Sequence, residues 1–336
     1  MRSGNRVLAA FLVSTMTLCS YMVANAASST LDKVIEAAKK EGKVVTYGSY
    51  TPDEAKEIQG TFNNRYPFIK FEHVTMGASD VTNRVLLESR SGTAGADVAV
   101  TGAPMAIPLV REQFLRQVDW ASLGALPSAI DTSWGVTVAT VTYVLAWNTK
   151  LVSQADAPKN WNDLLNPKWK GSVGIWVNPN PFSDLVSAWG EAKVTDYLKR
   201  LMQNAPVVMR GGGELPARLA AGEISVAIVI DQTLRPVVES GGPIQWVWPD
   251  PLPVERVVAT LPKLARNPNA GMLYALWLSS PEGASVYEKV TWRGNVFVPS
   301  APIAQKTRGK KYSFWPTDKL DARAAASKRF IPIITP

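Results

Sequence analysis

The chain has 336 residues, of which 46% are hydrophobic and 19% charged, the composition of an ordinary globular protein rather than a disordered or fibrous one. At this length we expect two core-forming domains. The 36 Lys and Arg residues outnumber the 28 Asp and Glu residues, for a net charge of +8, and there is one Cys and one His. These last two counts exclude a zinc site built from several Cys and His residues, and they disfavour a His-based catalytic triad and a Cys–His pair.

Residues 1–26 have the pattern of a secretory signal peptide. Arg2 and Arg6 precede the apolar run VLAAFLVSTMTL, and Ala24-Asn25-Ala26 provides a small-x-small cleavage site. We therefore expect a periplasmic protein whose mature chain begins at Ala27, has no cysteine and carries a net charge of +6. Its Lys and Arg residues are scattered and form no block of like charge, so we expect no binding to nucleic acid.

The first part of the mature chain alternates helices and strands. Helical periodicity in LDKVIEAAKKEG ends at Gly42, and Pro52 opens a second helix, PDEAKEIQGTFNNRYP. The segments KVVTYGS, IKFEHVTM and ADVAVTG read as strands, and VTNRVLLESRSG reads as a helix. This order predicts a mostly parallel sheet with covering helices, which is an α/β fold.

Two long extended segments predict two passages between lobes. GVTVATVTYVLAWNTK is about twice a normal strand, and WVWPDPLPVERVVATLP is a second such run. We expect residues 27–137 and 257–336 to form lobe 1 and residues 138–256 to form lobe 2. One helix is predicted at 184–204. Another, at 270–290, is expected to return the chain to lobe 1, with the last 30 residues as a peripheral tail.

Loops that follow the strands are the expected ligand-binding positions, because open α/β sheets bind ligands beyond the carboxyl ends of their strands. They come from both halves of the chain, which predicts a ligand in a cleft between the lobes. The candidate ligand-binding residues are Tyr47, Ser49, Tyr50, Thr51, Thr101, Gly102, Asn178, Asn180, Ser183, Arg210, Gly211, Gly212, Asp231, Gln232 and Trp248.

Several of these candidates have a structural alternative. Arg210 and the three glycines after it form either an anion-binding nest or a flexible turn, and Glu214 opposes an anion there. Asn178 to Ser183 supply donors for a carboxylate or phosphate, whereas Asp184 is expected to cap a helix. Asp231 suits a ligand amine or hydroxyl but equally suits a cap. Among the tyrosines, Tyr50 is the better candidate, because Tyr47 continues the strand pattern.

Three segments carry a resemblance to a known family. WNDLLNPKWKGSVGI, GELPARLAAGEISVAIVI and LARNPNAGMLYALWLSSPEGASVY resemble the ferric-iron-binding type of periplasmic solute-binding protein of bacterial ABC transporters, over roughly residues 31–300. The resemblance implies a two-lobed type II periplasmic binding protein, in which each lobe has a mixed, mostly parallel sheet with flanking helices. A two-strand hinge would join the lobes.

The chain departs from that family at the metal ligands. The iron-binding members have a tyrosine pair after the strand that here ends Ile230-Asp231-Gln232-Thr233, a His in the first loop and a Glu after the third strand. Here Tyr47 to Thr51 form the first loop, Thr101-Gly102-Ala103 follow the third strand, and His73 lies on a strand. We therefore expect no metal, although Tyr47, Tyr50 and Asp231 are oxygen ligands that could regroup around ferric iron.

These observations predict a periplasmic solute-binding component of an ABC import system. We expect a monomer without cofactor or catalytic residues that binds a small organic anion or zwitterion and delivers it to an inner-membrane permease. The net positive charge and the glycine- and asparagine-rich loops favour this ligand class. The alternatives are a ferric-ion-binding protein with a different ligand set, a ligand-binding partner of a membrane sensor, and a periplasmic enzyme.

Overall fold

The protein is described by a computed structural model that covers residues 30–335. The predicted signal peptide lies outside these residues. The chain divides into two compact units. The first unit contains residues 30–100, Leu109–Val136 and Ala259–Ser280. The second contains Thr101–Pro108, Thr137–Val258 and residues 281–335.

Three neighbouring parallel strands organise the first unit. Strand β1 (Lys43–Gly48) lies between β2 (Lys70–Thr75) and β3 (Val98–Gly102), with Val44 opposite Phe71 and Thr46 opposite Val98. The helices are α1 (residues 30–41), α2 (Pro52–Arg65), α3 (Ala78–Arg90) and α9 (Pro268–Leu278). Helix α4 (Ala103–Arg111) begins directly after β3.

Helix α2 begins where its sequence predicts. Thr51 is the N-cap, and its hydroxyl accepts from the Glu54 amide while the Glu54 carboxylate accepts from the Thr51 amide. This reciprocal capping satisfies two of the amides that a helix start leaves without partners. On the buried face, the ring of Phe62 packs edge-on against Tyr274 of α9, with 5.2 Å between the centroids. Helices α2 and α9 thus share one aromatic core.

The remaining strands lie wholly or largely in the second unit. They are β4 (Gly135–Asn148), β5 (Val173–Trp176), β6 (Val207–Met209), β7 (Val226–Ile230), β8 (Ile244–Val247), β9 (Leu252–Thr260) and β10 (Tyr312–Ser313). Strand β5 lies parallel to both β6 and β7, and β4 runs antiparallel to β7 and β8. The helices are α5 (Asn180–Trp189), α6 (Glu191–Gln203), α7 (Leu215–Ala221), α8 (Arg235–Glu239), α10 (Pro281–Thr291), α11 (Pro302–Lys306) and α12 (Leu320–Ile334).

Alternate residues of β4 build two cores, one on each face of this sheet. Tyr143, Leu145 and Trp147 pack into a cluster that also contains Phe182 and Phe330. Val144 and Ala146 point the other way, into a cluster with Leu219 and Leu234. Successive residues of a strand point to opposite faces of the sheet, which explains this division.

Three sequence predictions need correction. The helix expected at 184–204 is two helices, because Gly190 between α5 and α6 has φ 78°, a backbone conformation that other residues rarely adopt. The helix expected at 270–290 also divides, and α10, its second half, belongs to the second unit. The same holds for the whole segment from Pro281 onward, which the sequence assigned to lobe 1.

The chain end is not a peripheral tail. Ala326, Phe330 and Ile334 of α12 lie in the same core as Tyr143 and Phe182, so burial of apolar surface holds this helix on the second unit. The chain passes between the units at 136/137 and 258/259, where the sequence placed the passages at 137/138 and 256/257. Within residues 30–335, no helix is both long enough and apolar enough to cross a membrane.

Candidate functional site

The loops that follow β5 and β6 meet at one edge of the second-unit sheet. The Trp176 indole N–H donates to the Arg210 carbonyl oxygen at 3.0 Å, and the Val177 amide donates to the Met209 carbonyl oxygen at 2.8 Å. Gly212 lies flat against the Trp176 ring, since a Cβ on Gly212 would come within 3.1 Å of it. The structure therefore brings together the two loops in which the sequence placed Asn178, Asn180 and Arg210 to Gly212.

A narrow cavity lies beneath these loops. Its lining includes Tyr143, Trp176, Pro181, Phe182 and Gly212, and its volume is about 10 Å³. This volume holds about one water molecule. An organic solute at this edge would therefore lie over these side chains, on the loops, rather than beneath them.

A buried charge cluster stands beside the cavity. Arg323 donates from Nε to Asp184 Oδ1 at 2.6 Å and from Nη2 to Glu255 Oε2 at 2.7 Å. Burial alone would lower the pKa of Arg323, but the nearby carboxylates of Asp184 and Glu255 raise that pKa by a larger amount. Burial raises the pKa of Asp184 to about 7, although Arg323 acts to lower it. Burial, followed by Glu255 and Asp184, raises the pKa of Tyr143, which keeps that hydroxyl protonated at neutral pH.

Glu255 faces the loop that follows β3. A Cβ on Gly102 would lie 2.8 Å from Glu255 Oε1, and the Asn180 side-chain amide donates to Glu255 Oε2 at 3.5 Å. The family resemblance leads one to expect a Glu in the loop after β3, and residues 101–103 contain none. Glu255 of β9 places a carboxylate beside that loop instead. Because Asp184 and Glu255 share one arginine, the cluster of these three side chains carries a net charge of −1 when both carboxyls are ionised.

Sequence reasoning missed this cluster. It assigned Asp184 to a helix cap and did not single out Glu255, Tyr143 or Arg323. One signal was present: Glu255 and Arg256 are adjacent charged residues inside an otherwise apolar extended segment, LPVERVVAT. A buried charge requires a partner, which marks such a position for attention.

Ser183 is not placed to contact a ligand. Its side chain is fully buried, donates to the Pro179 carbonyl oxygen and lies 2.7 Å from the Ser327 hydroxyl of α12. Ser183 lies on the inner face of α5, so its position does not support the prediction that it contacts a ligand. Asn178 and Asn180 are half-buried, and Asn178 Oδ1 accepts a hydrogen bond from the backbone amide of Asn180 at 3.1 Å.

Tyr50 lies in the core of the first unit. It has no exposed surface, its hydroxyl is 2.9 Å from the Tyr274 hydroxyl and 3.1 Å from the Thr46 hydroxyl, and its ring stacks on His73 at 3.8 Å. The prediction that Tyr50 contacts a ligand is therefore not supported by its position. The sequence could not show this burial, because Tyr274 is 224 residues away.

The other candidates in the first loop differ in their exposure to solvent. Tyr47 is buried and donates to Glu88 Oε1 at 2.9 Å; burial and then Glu88 raise its pKa to about 12. Ser49 and Thr51 are exposed, and Thr51 is already the cap of α2. In the second unit, Thr101 is buried at the end of β3 and Gly102 is half-buried.

The glycine loop after β6 has an acidic neighbour. Glu214 Oε1 is close to Gly211, where a Cβ would lie 3.2 Å away, and its carboxylate is 4.0 Å from Arg218. The helix that follows, α7, has only seven residues. Arg210 is exposed and Gly211 and Gly212 are half-buried. The loop therefore offers one arginine side chain to a ligand, with Glu214 opposing a strongly anionic group.

Asp231 and Trp248 lie on the other face of the sheet. Asp231 is 8% exposed, and its carboxylate accepts from the Thr142 hydroxyl at 2.5 Å and from the Gln232 amide at 2.8 Å. Thr142 precedes Tyr143 on β4, so the two side chains point to opposite faces. Asp231 and Trp248 line a cavity of about 560 Å³, whereas Tyr143 lines the narrow cavity beneath the loops. The structure thus divides the predicted second-unit site into two places.

Two of the three side chains that the sequence allowed as ferric ligands, Tyr47 and Tyr50, have other partners. Among residues 30–335, no group of three or more His, Cys, Asp or Glu side chains is arranged to hold a metal ion. The hydroxyls of Tyr47 and Tyr50, which the sequence allowed as iron ligands, are engaged by Glu88 and by Tyr274.

Two curated proteins are similar to this chain in sequence. A Serratia marcescens "Fe(3+)-binding periplasmic protein" is 26% identical over 228 residues, which are 66% of this chain and 62% of that protein. A second curated relative, an uncharacterized Haemophilus influenzae protein, is 27% identical over 41% of each chain. The chain thus spans less than two thirds of the length of these curated relatives.

Solved structures share the fold. Iron-bound HitA from Pseudomonas aeruginosa is 16% identical with a TM-score of 0.71, covering 88% of this chain and 99% of that one. The binding protein AfuA from Actinobacillus pleuropneumoniae, with fructose-6-phosphate bound, is 22% identical with a TM-score of 0.67, covering 87% and 98%. The fold is that of a type II periplasmic binding protein, as the sequence predicts.

A family profile described as "Bacterial extracellular solute-binding protein" matches residues 56–312, which is most of the chain. Fold and family are those of substrate-binding transport proteins rather than of enzymes. The chain belongs to the bacterial extracellular solute-binding protein family.

Proposed function

We propose that this protein captures a small organic zwitterion in the periplasm and delivers it to an inner-membrane ABC permease. The sequence indicates organic anions or zwitterions, and the charges at the strand-end loops favour the zwitterion within that class. Export through the signal peptide at residues 1–26 and a monomeric state are parts of the same proposal. The family membership supports the transport role.

The observation that carries the proposal is the pair of opposite charges at one sheet edge. Arg210 is exposed on the loop after β6, and this loop is joined to the loop after β5 through Trp176. Asn180, which follows β5, donates a hydrogen bond to Glu255. Glu255 shares Arg323 with Asp184, so part of the negative charge of Glu255 stays uncompensated. Arg210 suits a ligand carboxylate or phosphate, and Glu255 suits an ammonium group.

Trp176 adds an apolar surface beside Arg210. Its ring is half-buried, and Gly212 leaves the loop free of side-chain bulk beside it. Polar groups that fix orientation, set around an aromatic surface, are the usual composition of a small-molecule site.

The test begins with a thermal-shift screen of the mature chain, residues 27–336. The screen uses matched zwitterionic, anionic, cationic and neutral organic solutes, together with ferric salts. The proposal expects the largest increase in melting temperature with a zwitterion. A best ligand that is neutral or purely cationic would overturn the charge argument, and tight retention of ferric iron against citrate would support the iron-binding alternative instead.

Calorimetric titration of the best solute then tests the residues. Arg210→Ala and Glu255→Gln should each weaken binding by about tenfold or more. Arg200→Ala, an exposed arginine on α6, is the matched control and should bind as the wild type does. Unchanged affinity in both site variants, with native circular dichroism, would place the site elsewhere. Loss of high-affinity uptake in cells that lack the protein tests delivery to the permease.

A further inference from the structure

The larger cavity of the second unit carries a separate inference. Its volume of about 560 Å³ is within the usual range for small-molecule sites. Strand β8 and the segment after it contribute Trp246 and Trp248, and α10 and the residue after it contribute Glu288 and Trp292. Since Asp231 and Tyr143 point to opposite faces of the sheet, the cavity is distinct from the strand-end loops of the proposed transport site.

Asp231 is a buried carboxylate without a cation. Within residues 30–335, no Lys or Arg forms an ion pair with it, and its hydrogen bonds come from the neutral Thr142 hydroxyl and the Gln232 amide. Two neutral donors leave the negative charge itself uncompensated. A buried charge is costly unless an opposite charge approaches it, so this wall of the cavity favours a positively charged ligand group.

Two indole rings form a second wall. The centroids of Trp246 and Trp248 are 6.1 Å apart with their planes at 78°, so a group in the cavity can contact the face of one ring and the edge of the other. Indole faces attract cations and are the strongest cation–π partners among side chains. The Arg235 guanidinium lies over the Trp292 ring, 5.8 Å from the ring centroid. Trp246 and Trp248 are therefore the indoles that we expect a ligand to contact.

The ring N–H of Trp246 is unused, and that of Trp248 faces Asp231 without forming a hydrogen bond of good geometry. The ring N–H groups of Trp246 and Trp248 are buried and make no hydrogen bond of good geometry to residues 30–335, although Trp248 is close enough to lower the pKa of Asp231. Buried donors normally have partners. A ligand oxygen near the cationic centre would supply one.

The lysines at the cavity do not outweigh this arrangement. Lys289 and Lys306 are exposed, so solvent and salt screen their charges. Glu288 is half-buried, accepts from the Ile303 amide at 3.1 Å, and adds a second carboxylate to the lining. Charges in the buried part of the cavity are negative, and the positive charges are at its exposed side.

We propose that this cavity binds an organic ammonium ion that carries an oxygen acceptor near its nitrogen, with Asp231 as counter-ion and Trp246 and Trp248 as the enclosing walls. This second site goes beyond the proposed transport function and does not depend on it. It requires no chemistry, only binding.

Choline is a suitable probe, because 3,3-dimethyl-1-butanol has nearly the same shape and hydroxyl group without the charge. Titration of the mature chain, followed by calorimetry and by tryptophan fluorescence, should give saturable choline binding in the millimolar range or tighter. The neutral alcohol should bind at least about tenfold more weakly. Equal binding of the two compounds, or no saturable binding of choline, would overturn the proposal.

Variants assign the binding to this cavity. Asp231→Asn keeps the shape of the side chain and should weaken choline binding by about tenfold or more, while Asp196→Asn on exposed α6 is its control. Trp248→Phe removes the N–H but keeps a ring, and Trp189→Phe, which lies outside the cavity, is its control. If Asp231→Asn does not fold, Trp248→Phe carries the test. Unchanged choline affinity in a folded site variant would refute the assignment.

Discussion

Arg323 in the last helix holds both carboxylate oxygens of Asp184, at 2.6 and 3.0 Å, across 139 residues of sequence. Both side chains are almost fully buried, and Arg323 Nη2, which donates to Asp184 Oδ2, also donates to Glu255 Oε2. This relationship ties α12 to the start of α5, the helix that carries Asn180 and leads away from the candidate transport site. Four predictions follow from this and other contacts of the two units.

Removal of Arg323 should strongly destabilise the second unit. Arg323→Ala leaves two carboxylates buried without their counter-ion, so we expect a loss of about 3–5 kcal/mol in the free energy of unfolding. The matched control is Arg329→Ala on the same helix, whose pair with Glu191 is exposed and should cost about 0–1 kcal/mol. Urea denaturation measures both, and equal effects would contradict the structural role of the buried cluster.

Tyr50→Ala should damage folding rather than ligand binding. The substitution leaves a cavity beneath Tyr274 and removes the stack on His73, for an expected loss of about 3–5 kcal/mol. Its exposed neighbour gives the control: Ser49→Ala should change stability by less than about 0.5 kcal/mol. A folded Tyr50→Ala protein of normal stability that had lost affinity for the transported solute would restore the sequence prediction.

His73 should make the first unit sensitive to acid. Burial lowers the pKa of His73 to about 4, whereas in the unfolded chain it titrates near 6.5. Between those two pH values the unfolded state binds more protons, so the contribution of His73 to stability is present above pH 6.5 and is lost as the pH falls toward 4. The expected loss is about 2–3 kcal/mol.

The measurement is the difference in unfolding free energy between the wild type and His73→Phe at several pH values. The difference is needed because burial raises the pKa of Asp231 to about 6 and that of Asp184 to about 7, which act in the opposite direction over a similar range. Phenylalanine keeps a ring against Tyr50 but cannot titrate. A difference that is the same at pH 7.5 and pH 4.5 would show that His73 is not the source.

Two glycines should respond oppositely to alanine. A Cβ on Gly174 of β5 would lie 2.3 Å from Ile224 Cδ1 and 2.9 Å from Leu215 Cδ2, so Gly174→Ala should destabilise by about 1–3 kcal/mol through overpacking. Gly60 is exposed inside α2 with nothing within 4 Å of its Cβ position, so Gly60→Ala should stabilise by about 0.5–1 kcal/mol. Chemical denaturation of both variants is the check, and a shared direction would refute the packing argument.

The sequence by itself determined the local elements. The start of α2 follows from Thr51, Pro52 and Glu54, which lie within one helical turn of each other. The long strand β4 follows from a run rich in β-branched residues. The convergence of the loops after β5 and β6 follows from the parallel order of their strands. Patterns of this kind involve residues that are near neighbours in the chain, or depend only on strand order.

Tertiary structure alone decided which side chains are available to a ligand. Tyr50 and Ser183 lie in segments that the sequence predicts to be binding loops, yet their side chains are buried against Tyr274 and Ser327, which are 224 and 144 residues away in the chain. A large separation in sequence also explains why the ion pairs of Glu255 and Asp184 with Arg323 could not be predicted. No local periodicity encodes such a pairing, because it depends on where the chain returns after each passage between units and on which buried charge finds its partner there.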